Sequence, residues 1–475
     1  MMPDTWDIAI LGKGAAAFAA AIKASEKSSG KARIVMVGSG PIGGTCVNVG
    51  CVPSKYLLEA SHRLYYTARE VFPGVGAVNP SLDFPKLMEG VHNLVGNMRR
   101  EKYEKVLRYY PNVEVLDGKA KFESPTAIKV VGTAHEKTIY AKNFIVATGS
   151  RPTAPPIEGL EQTGYITSDS VWNLEYKPET LAVIGGGAIG LELGQAFRHL
   201  GSEVTVLEAM PRIVPPAEPE VSETLQGVLE DEGVKFQLKV RIARVYKKDG
   251  KKALEVVTAQ GKRELVVDEI LVATGRAPNT DMLDLDKAGV RTDERGFIVV
   301  DKGMRTSNPN IYSAGDCLSK RLMLETLAAR EGVVAATNIL GGSEEVDYST
   351  TPWAVFTNPQ VASVGYTEDE VMAKMNACAC RIVDLDRVAK AGIMGSERGL
   401  IKLVLDPYTY KVIGVHALTP NATEYIVEGA LAIKYGLTYS DLINTTHVFP
   451  TLAEGVKLAA QSFIRPVDRM SCCVE

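Results

Sequence analysis

Two short apolar runs in this chain each lead into a glycine turn and then into a helical pattern. Ile8-Ala9-Ile10-Leu11 precedes Gly12-Lys13-Gly14-Ala15-Ala16-Ala17, which predicts strand, turn and helix from Ile8 to Ala20. Leu181-Ala182-Val183-Ile184 precedes Gly185-Gly186-Gly187-Ala188-Ile189-Gly190 and predicts the same unit, with a helix from Leu191 to Leu200 closed by Gly201. Each unit is followed by a second strand, Ile34 to Val37 and Val204 to Leu207. Phe144 to Ser150 reads as a buried strand. After Asp83 the period lengthens. Leu87, Val91, Leu94, Val95 and Met98 lie on one helical face, and Asp83 with Pro85 marks its start. Strands Leu400 to Leu405 and Lys411 to His416 flank an Asp406-Pro407 turn, and helices cover Ala422 to Tyr435 and Ala453 to Phe463.

A chain of 475 residues suggests about three domains. Hydrophobic content of 45% with 23% charged residues is that of a globular protein with ample core. The net charge of −4 argues against nucleic acid or an anionic membrane as the main partner. No stretch approaches the ~18 apolar residues of a membrane span. The first strand starts within the first ten residues, so no secretory leader is expected and the location is read as cytoplasmic. Seven cysteines, unevenly spread, do not make a secreted disulfide framework.

The glycine turns carry candidate chemistry. Gly12, Gly14 and Ala17 form G-x-G-x-x-A, and Gly185, Gly187 and Gly190 form G-x-G-x-x-G. Both let a backbone approach a pyrophosphate at a helix N-terminus. Glu208 lies 23 residues past Gly185, near the ~20 expected of an acid on a ribose 2′-hydroxyl. A carboxylate there repels a 2′-phosphate, so NADH is expected to serve at least as well as NADPH, with Arg212 nearby to blunt the preference. After the first unit no such acid appears, since Gly38-Ser39-Gly40 follows the strand.

The most chemically loaded stretch is Gly43-Gly44-Thr45-Cys46-Val47-Asn48-Val49-Gly50-Cys51-Val52-Pro53-Ser54-Lys55. It runs into a helix whose first turn reads Pro53-Ser54-Lys55. A helix N-terminus stabilises a thiolate, which favours a reactive Cys51. Two buried cysteines or half a metal site remain as the plainer reading, although metal pairs usually come closer together and with a second pair.

This stretch resembles the redox-active disulfide of the flavin-dependent pyridine nucleotide-disulfide oxidoreductases (class I), and the resemblance extends over nearly the whole chain. It implies an α/β fold with two Rossmann-like dinucleotide-binding domains, glutathione reductase-like, plus a C-terminal α+β dimerisation domain. The implied division is an FAD-binding domain over 1–150, an NAD(P)H-binding domain over 151–276, a second FAD-binding part over 277–345 and a dimerisation domain with a Cys-Cys tail over 346–475, whose opening strand Trp353 to Ala362 resembles. The cofactors implied are FAD and NAD(P)H. By resemblance, Cys51 lies against the flavin, Cys46 meets the substrate, and Lys55 lies near flavin N5 and pairs with Glu192. Gly40, Thr45, Ala120, Gly149, Asp316 and Leu324 are implied FAD contacts, and Gly275 is implied at the nucleotide sites. The family usually carries Glu at the position of Gly38, so one FAD contact is missing or taken over by Ser39, and FAD retention is expected to be weaker. On residues alone, Glu192 is a surface charge and Tyr103 a packing ring. Cys317, Cys378 and Cys380 are read as small packed residues, although Cys378-Ala379-Cys380 offers a metal pair.

Disulfide reductases of the family carry His-Pro with Glu a few residues on. Here Phe449-Pro450 stands in that place and Glu454 remains. Losing a placed acid-base costs typically ~10²–10⁴ in rate, about 3–5 kcal/mol of barrier. His447 is two residues away and displaced by about 6–7 Å on an extended backbone. The chain ends Met470-Ser471-Cys472-Cys473-Val474-Glu475, two soft thiolates suited to a soft metal ion. Together these features resemble the mercuric reductases of the family, in which Tyr103 matches a tyrosine lining the metal site. That resemblance implies NAD(P)H-driven reduction of thiol-bound Hg(II) to Hg(0) in a homodimer. In it Cys472 and Cys473 of the partner subunit pass the ion to Cys46 and Cys51. Two other readings compete. One is a dihydrolipoamide dehydrogenase-like disulfide reductase, and the other is a flavoprotein that binds soft metals without reducing them.

Overall fold

The computed structural model describes residues 5–132, 136–319 and 322–470. Two compact units are present. The first is Met1–Ser54, Met88–Thr153 and Gly275–Asp347; the second is Lys55–Leu87, Ala154–Thr274 and Tyr348–Glu475.

The first unit is built on a sheet of β1 (Thr5–Leu11), β2 (Ile34–Gly38), β3 (Val113–Asp117), β4 (Lys119–Ser124), β5 (Ala127–Val131) and β6 (Glu136–Val146), in the order β3-β2-β1-β6-β5-β4. Strand Ile311–Ser313 adds to β6 in parallel. The central pairings are parallel, with Ile8 opposite Ile34 and Ala9 opposite Phe144. Ile8, Ala9, Ile10, Ile34 and Met36 are fully buried, as parallel strands covered on both faces require. The apolar run predicted to reach Ser150 leaves the ladder at Val146, and residues 147–149 are irregular. Helix α1 (Ala15–Lys27) crosses helix Glu325–Ile339 at backbone distance. A Cβ on Gly332 would lie 2.2 Å from the Ala16 carbonyl oxygen.

The cysteine stretch folds as two helices rather than one. Gly43 and Gly44 take positive φ (97° and 66°) and open α2 (Gly44–Asn48). Asn48 Nδ2 ties it back, donating to the carbonyls of Ile42 (3.0 Å) and Gly44 (2.8 Å). Helix α3 (Cys51–Thr67) then starts at Cys51, two residues before Pro53. Proline is tolerated in a first turn because its missing N–H has no helical acceptor there. The helix predicted from Asp83 is Phe84–Arg99, and Asp83 Oδ1 accepts from the Lys86 N–H at 3.1 Å. It continues as one π-helical turn, Arg100–Glu104, which carries Tyr103.

In the second unit a four-stranded parallel sheet has the order Lys235–Leu238, Glu203–Glu208, Thr180–Ile184, Glu269–Val272. A five-stranded antiparallel sheet has the order Trp353–Val355, Gln360–Gly365, Val412–Thr419, Leu400–Leu405, Ala379–Asp384. The single opening strand predicted over Trp353 to Ala362 is a hairpin. Pro359 cannot donate to a ladder, and the Asn358 backbone is engaged instead by buried Gln195, through N–H to Oε1 (2.8 Å) and Nε2 to O (2.8 Å). Lys402, 1% exposed, is held by Glu218 (3.0 Å), Glu220 (3.1 Å) and Glu368 (2.7 Å). A buried ammonium needs such partners, and removing one side strands a charge at about 3–5 kcal/mol. Cys378 and Cys380, read as packed residues, form a disulfide.

Gly332→Ala tests the α1 crossing. Helix propensity alone favours Ala by about 1 kcal/mol. Overpacking against a carbonyl that cannot rotate away costs about 1–3 kcal/mol and outweighs it. The midpoint of thermal unfolding is expected to fall; a rise would show that the helices do not meet there.

Candidate active site

A cavity of about 550 Å³ lies in the first unit where β1 turns into α1. Its walls include Gly12, Gly14, Thr45, Ala120 and Gly149, five of the sequence-derived candidates. Gly12 takes φ 137°, and a Cβ there would meet the Ala147 carbonyl oxygen at 2.1 Å. A Cβ on Gly44 would lie 2.6 Å from Gly14 Cα. Ala17 is buried behind the wall, and Gly40 (φ 78°) sits between the wall residues Ser39 and Pro41. Asp316 Oδ2 accepts from the wall residue Ser150 Oγ at 3.4 Å, while Leu324 caps helix Glu325–Ile339. Gly275 takes φ 129° and its carbonyl accepts from the Thr153 N–H at 3.1 Å.

Cys46 and Cys51 are not joined by a disulfide. Cys46 sits in α2 and Cys51 is the first residue of α3. A hydrogen bond to Cys51 and burial, with the Glu325 charge adding to them, push the Cys46 thiol well above its ordinary range. Tyr103 shares this electrostatic neighbourhood. Burial first, then the charges of Cys46, Glu325 and Cys51, push its phenol up to about 12. Its ring stands edge-on to Phe18 (centroids 4.9 Å apart) and covers Gly43, the residue that opens the cysteine stretch.

In the second unit, Gly185 takes φ 110° and a Cβ on Gly190 would meet the Gly185 carbonyl oxygen at 2.1 Å, so helix and strand pack at backbone distance. Gly187 caps helix Ala188–His199 with nothing within 4 Å of an added Cβ. Glu208 ends its strand with Oε2 on the Gly186 N–H (2.6 Å) and Oε1 on the Met210 N–H (2.7 Å). Arg212 donates to the Pro215 carbonyl at 3.3 Å. Glu192, buried rather than on the surface, accepts from Lys55 Nζ at 2.7 Å and from the Phe356 N–H at 2.9 Å. Lys55 Nζ also lies 4.4 Å from the Phe356 ring centroid.

Phe449 is exposed on the C-terminal segment. His447 is committed elsewhere. One ring nitrogen meets Glu428 Oε1 (2.9 Å) and the other the Thr445 carbonyl (2.9 Å). The Glu428 bond raises the His447 pKa against the opposing effect of burial. Glu454 Oε2 is buried with no hydrogen-bond partner among the described residues, and burial raises its carboxyl pKa. Cys472 and Cys473 lie outside the described residues.

Residues 6–332 match the family model for pyridine nucleotide-disulphide oxidoreductases, and residues 351–460 match the dimerisation domain of the same family. The chain belongs to the pyridine nucleotide-disulphide oxidoreductases. It is 39% identical to a mercuric reductase of Lysinibacillus sphaericus, covering 99% of this chain and 85% of that one. It is 40% identical to a mercuric reductase of Streptomyces lividans, covering 98% of each. Among solved structures it resembles LpdA from Mycobacterium tuberculosis, with a TM-score of 0.87, 26% identity, and 97% and 100% of the two chains covered. The HOCl-induced flavoprotein disulfide reductase RclA from Escherichia coli aligns with a TM-score of 0.85 at 26% identity, covering 96% and 99%.

Membership in this family implies FAD and NAD(P)H. The first cavity fits a dinucleotide on two grounds. Its floor needs glycine at Gly12 and Gly44, and Thr148 Oγ1 in its wall is buried without a hydrogen-bond partner among the described residues. Several residues of the two cradles escaped sequence reasoning. Thr148, the Arg276 bonds to Ser150 (2.8 Å each) and the Glu331 carboxylate on the Gly315 N–H (2.8 Å) carry no local pattern. Phe356 and Glu428 are likewise brought in only by the fold.

Beside Gly38 the structure places a Lys13–Asp117 ion pair, and Asp117 is the register partner of Gly38. A Cβ on Gly38 would lie 3.1 Å from Lys13 Cγ, so the lysine must give by a few tenths of an ångström. Gly38→Glu is expected to let a carboxylate reach the cavity and to lower the FAD dissociation constant, read by flavin fluorescence. Unchanged or weaker FAD binding would rule out a missing contact at Gly38.

Proposed function

We propose that this chain reduces Hg(II) to Hg(0) with NAD(P)H. Its likeness to mercuric reductases at 39–40% identity over nearly its whole length carries the reading. FAD, when bound, relays the electron pair of a hydride from NAD(P)H to the cysteine pair. Gly12, Gly14, Ala17, Gly40, Thr45, Ala120, Gly149, Asp316 and Leu324 would hold it, while Gly185, Gly187, Gly190, Glu208 and Gly275 would serve the nicotinamide nucleotide. Cys51 opens α3, where the helix dipole favours a thiolate, and the elevated pKa of Cys46 keeps the second proton there. The pair offers two sulfur ligands to a soft ion, and Tyr103 shields one side. Glu192 holds Lys55 in place.

The division into FAD-binding (1–150, 277–345), NAD(P)H-binding (151–276) and dimerisation (346–475) domains is part of this proposal. So are a homodimer that shares its active site and a cytoplasmic location; among the described residues no helix is long and apolar enough to cross a membrane. Cys472 and Cys473 of the partner subunit would take Hg(II) from a small thiol and pass it to Cys46 and Cys51. Thiolate-to-thiolate exchange keeps the ion ligated throughout.

A disulfide reductase is the second reading, favoured by the likeness to LpdA and RclA. It needs an acid-base to protonate a leaving thiol. Phe449 supplies none, and both nitrogens of His447 are already engaged.

Oxidation of NADH and NADPH is to be followed with and without Hg(II) under excess thiol, with volatilised mercury collected. Hg(II)-dependent oxidation with matching mercury loss is expected, with NADH serving at least as well as NADPH because the Glu208 carboxylate would repel a 2′-phosphate. Stimulation by a disulfide alone would replace the proposal with the second reading, and a strong NADPH preference would remove the role given to Glu208. In a separate variant, Cys472→Ala with Cys473→Ala, flavin reduction is expected to stay intact while turnover of dithiol-bound Hg(II) falls. Unchanged turnover would remove the tail from the mechanism.

A further inference from the structure

The second unit holds another pair of neighbouring sulfurs. Cys378 precedes, and Cys380 lies on, strand Ala379–Asp384, the edge of the five-stranded sheet. Side chains two apart on a strand share a face. The Cα atoms are 5.9 Å apart and the sulfurs are bonded. Both residues are half-buried, within reach of a small reductant or ion. Glu368, the first residue of helix Glu368–Met375, brings a carboxylate oxygen within 4.8 Å of both sulfurs. No other trio of His, Cys, Asp or Glu donors converges in this way among the described residues. The carboxylate is fixed in direction. Glu368 Oε2 lies 2.7 Å from Lys402 Nζ, and the Glu368 N–H donates to Glu218 Oε1 at 2.7 Å. Metal-bound carboxylates are commonly held by a second partner of this kind.

We propose that Cys378, Cys380 and Glu368 form a redox-gated site for a thiophilic divalent cation. It is closed while the disulfide stands and opens when the disulfide is reduced. This goes beyond the Hg(II) reduction proposed above and shares no residue with Cys46 and Cys51. Opening takes two electrons and two protons. With a water-soluble phosphine, the S–S bond breaks to two thiols, the phosphine becomes its oxide, and water supplies the oxygen and both protons. The cation then displaces the two thiol protons and gains two sulfur bonds and one oxygen bond, of about 2.3 Å and about 2.0–2.2 Å where the ion is zinc. Two thiolates and a carboxylate total −3, which a divalent ion reduces to −1, with the Lys402 ammonium beside Glu368 offsetting part of the remainder.

The test uses the FAD-loaded full chain, reduced with a water-soluble phosphine, desalted without oxygen and titrated with Cd(II). Bound cadmium is measured by equilibrium dialysis and by sulfur-to-cadmium charge-transfer absorbance. The reduced protein is expected to bind one more Cd(II) than C378S/C380S treated in the same way, and the difference is expected to vanish without the phosphine. E368Q should keep the extra equivalent but weaken its binding about tenfold or more. Equal cadmium uptake by the reduced protein and C378S/C380S would overturn the proposal. So would a difference that persists without reductant. If the double variant does not fold, C380S alone suffices, because one thiol cannot chelate and the extra equivalent must still be lost.

Discussion

Main-chain atoms come within touching distance where β1 turns into α1, and the first cavity depends on that approach. Gly12 leaves room for the Ala147 carbonyl, and Gly14 and Gly44 cross with no side chain between them. A methyl group at Gly12 or Gly44 would push apart elements that must meet for a diphosphate to lie along a helix N-terminus. The same constraint recurs in the second unit, where Gly190 packs on the Gly185 carbonyl and Gly185 on that of Ala273. The apolar strands on either side are the support. They are buried on both faces and hold the turns in place.

On this frame each charge near the cysteines has a counterweight. Cys51 sits at a helix N-terminus, whereas Cys46 is buried beside it and holds its proton. Lys55, one turn further along α3, is steered by Glu192, and Glu192 is steered in turn by the Phe356 backbone. His447 is bound to Glu428, which leaves Glu454 with a carboxyl oxygen that nothing satisfies among the described residues.

Much of this was legible in the chain itself. Strand Leu400–Leu405 and helix Ala422–Tyr435 keep the bounds their patterns predict, the strand because it is buried at every position and the helix because Ala422, Ile426, Gly429 and Ala430 form one buried face. The strand-turn-helix units, the acid at Glu208 and the cysteine stretch are equally local. The misreadings have more than one cause. Pro53 marks a first turn, but the helix starts at Cys51. The run from Trp353 continues in sequence, but Gln195 claims the backbone at Asn358.

The sequence by itself determined the elements, the two nucleotide cradles and the thiol chemistry, since these depend on periodicity, glycine at fixed offsets and residue type. Only the tertiary structure decided which polar groups meet. It paired Lys13 with Asp117 and Lys402 with three glutamates, closed Cys378 on Cys380 and engaged both nitrogens of His447. The physical reason is range. Backbone geometry and hydrophobic period act within a few residues, whereas a buried charge takes whichever partner the packing of remote segments brings within about 3 Å.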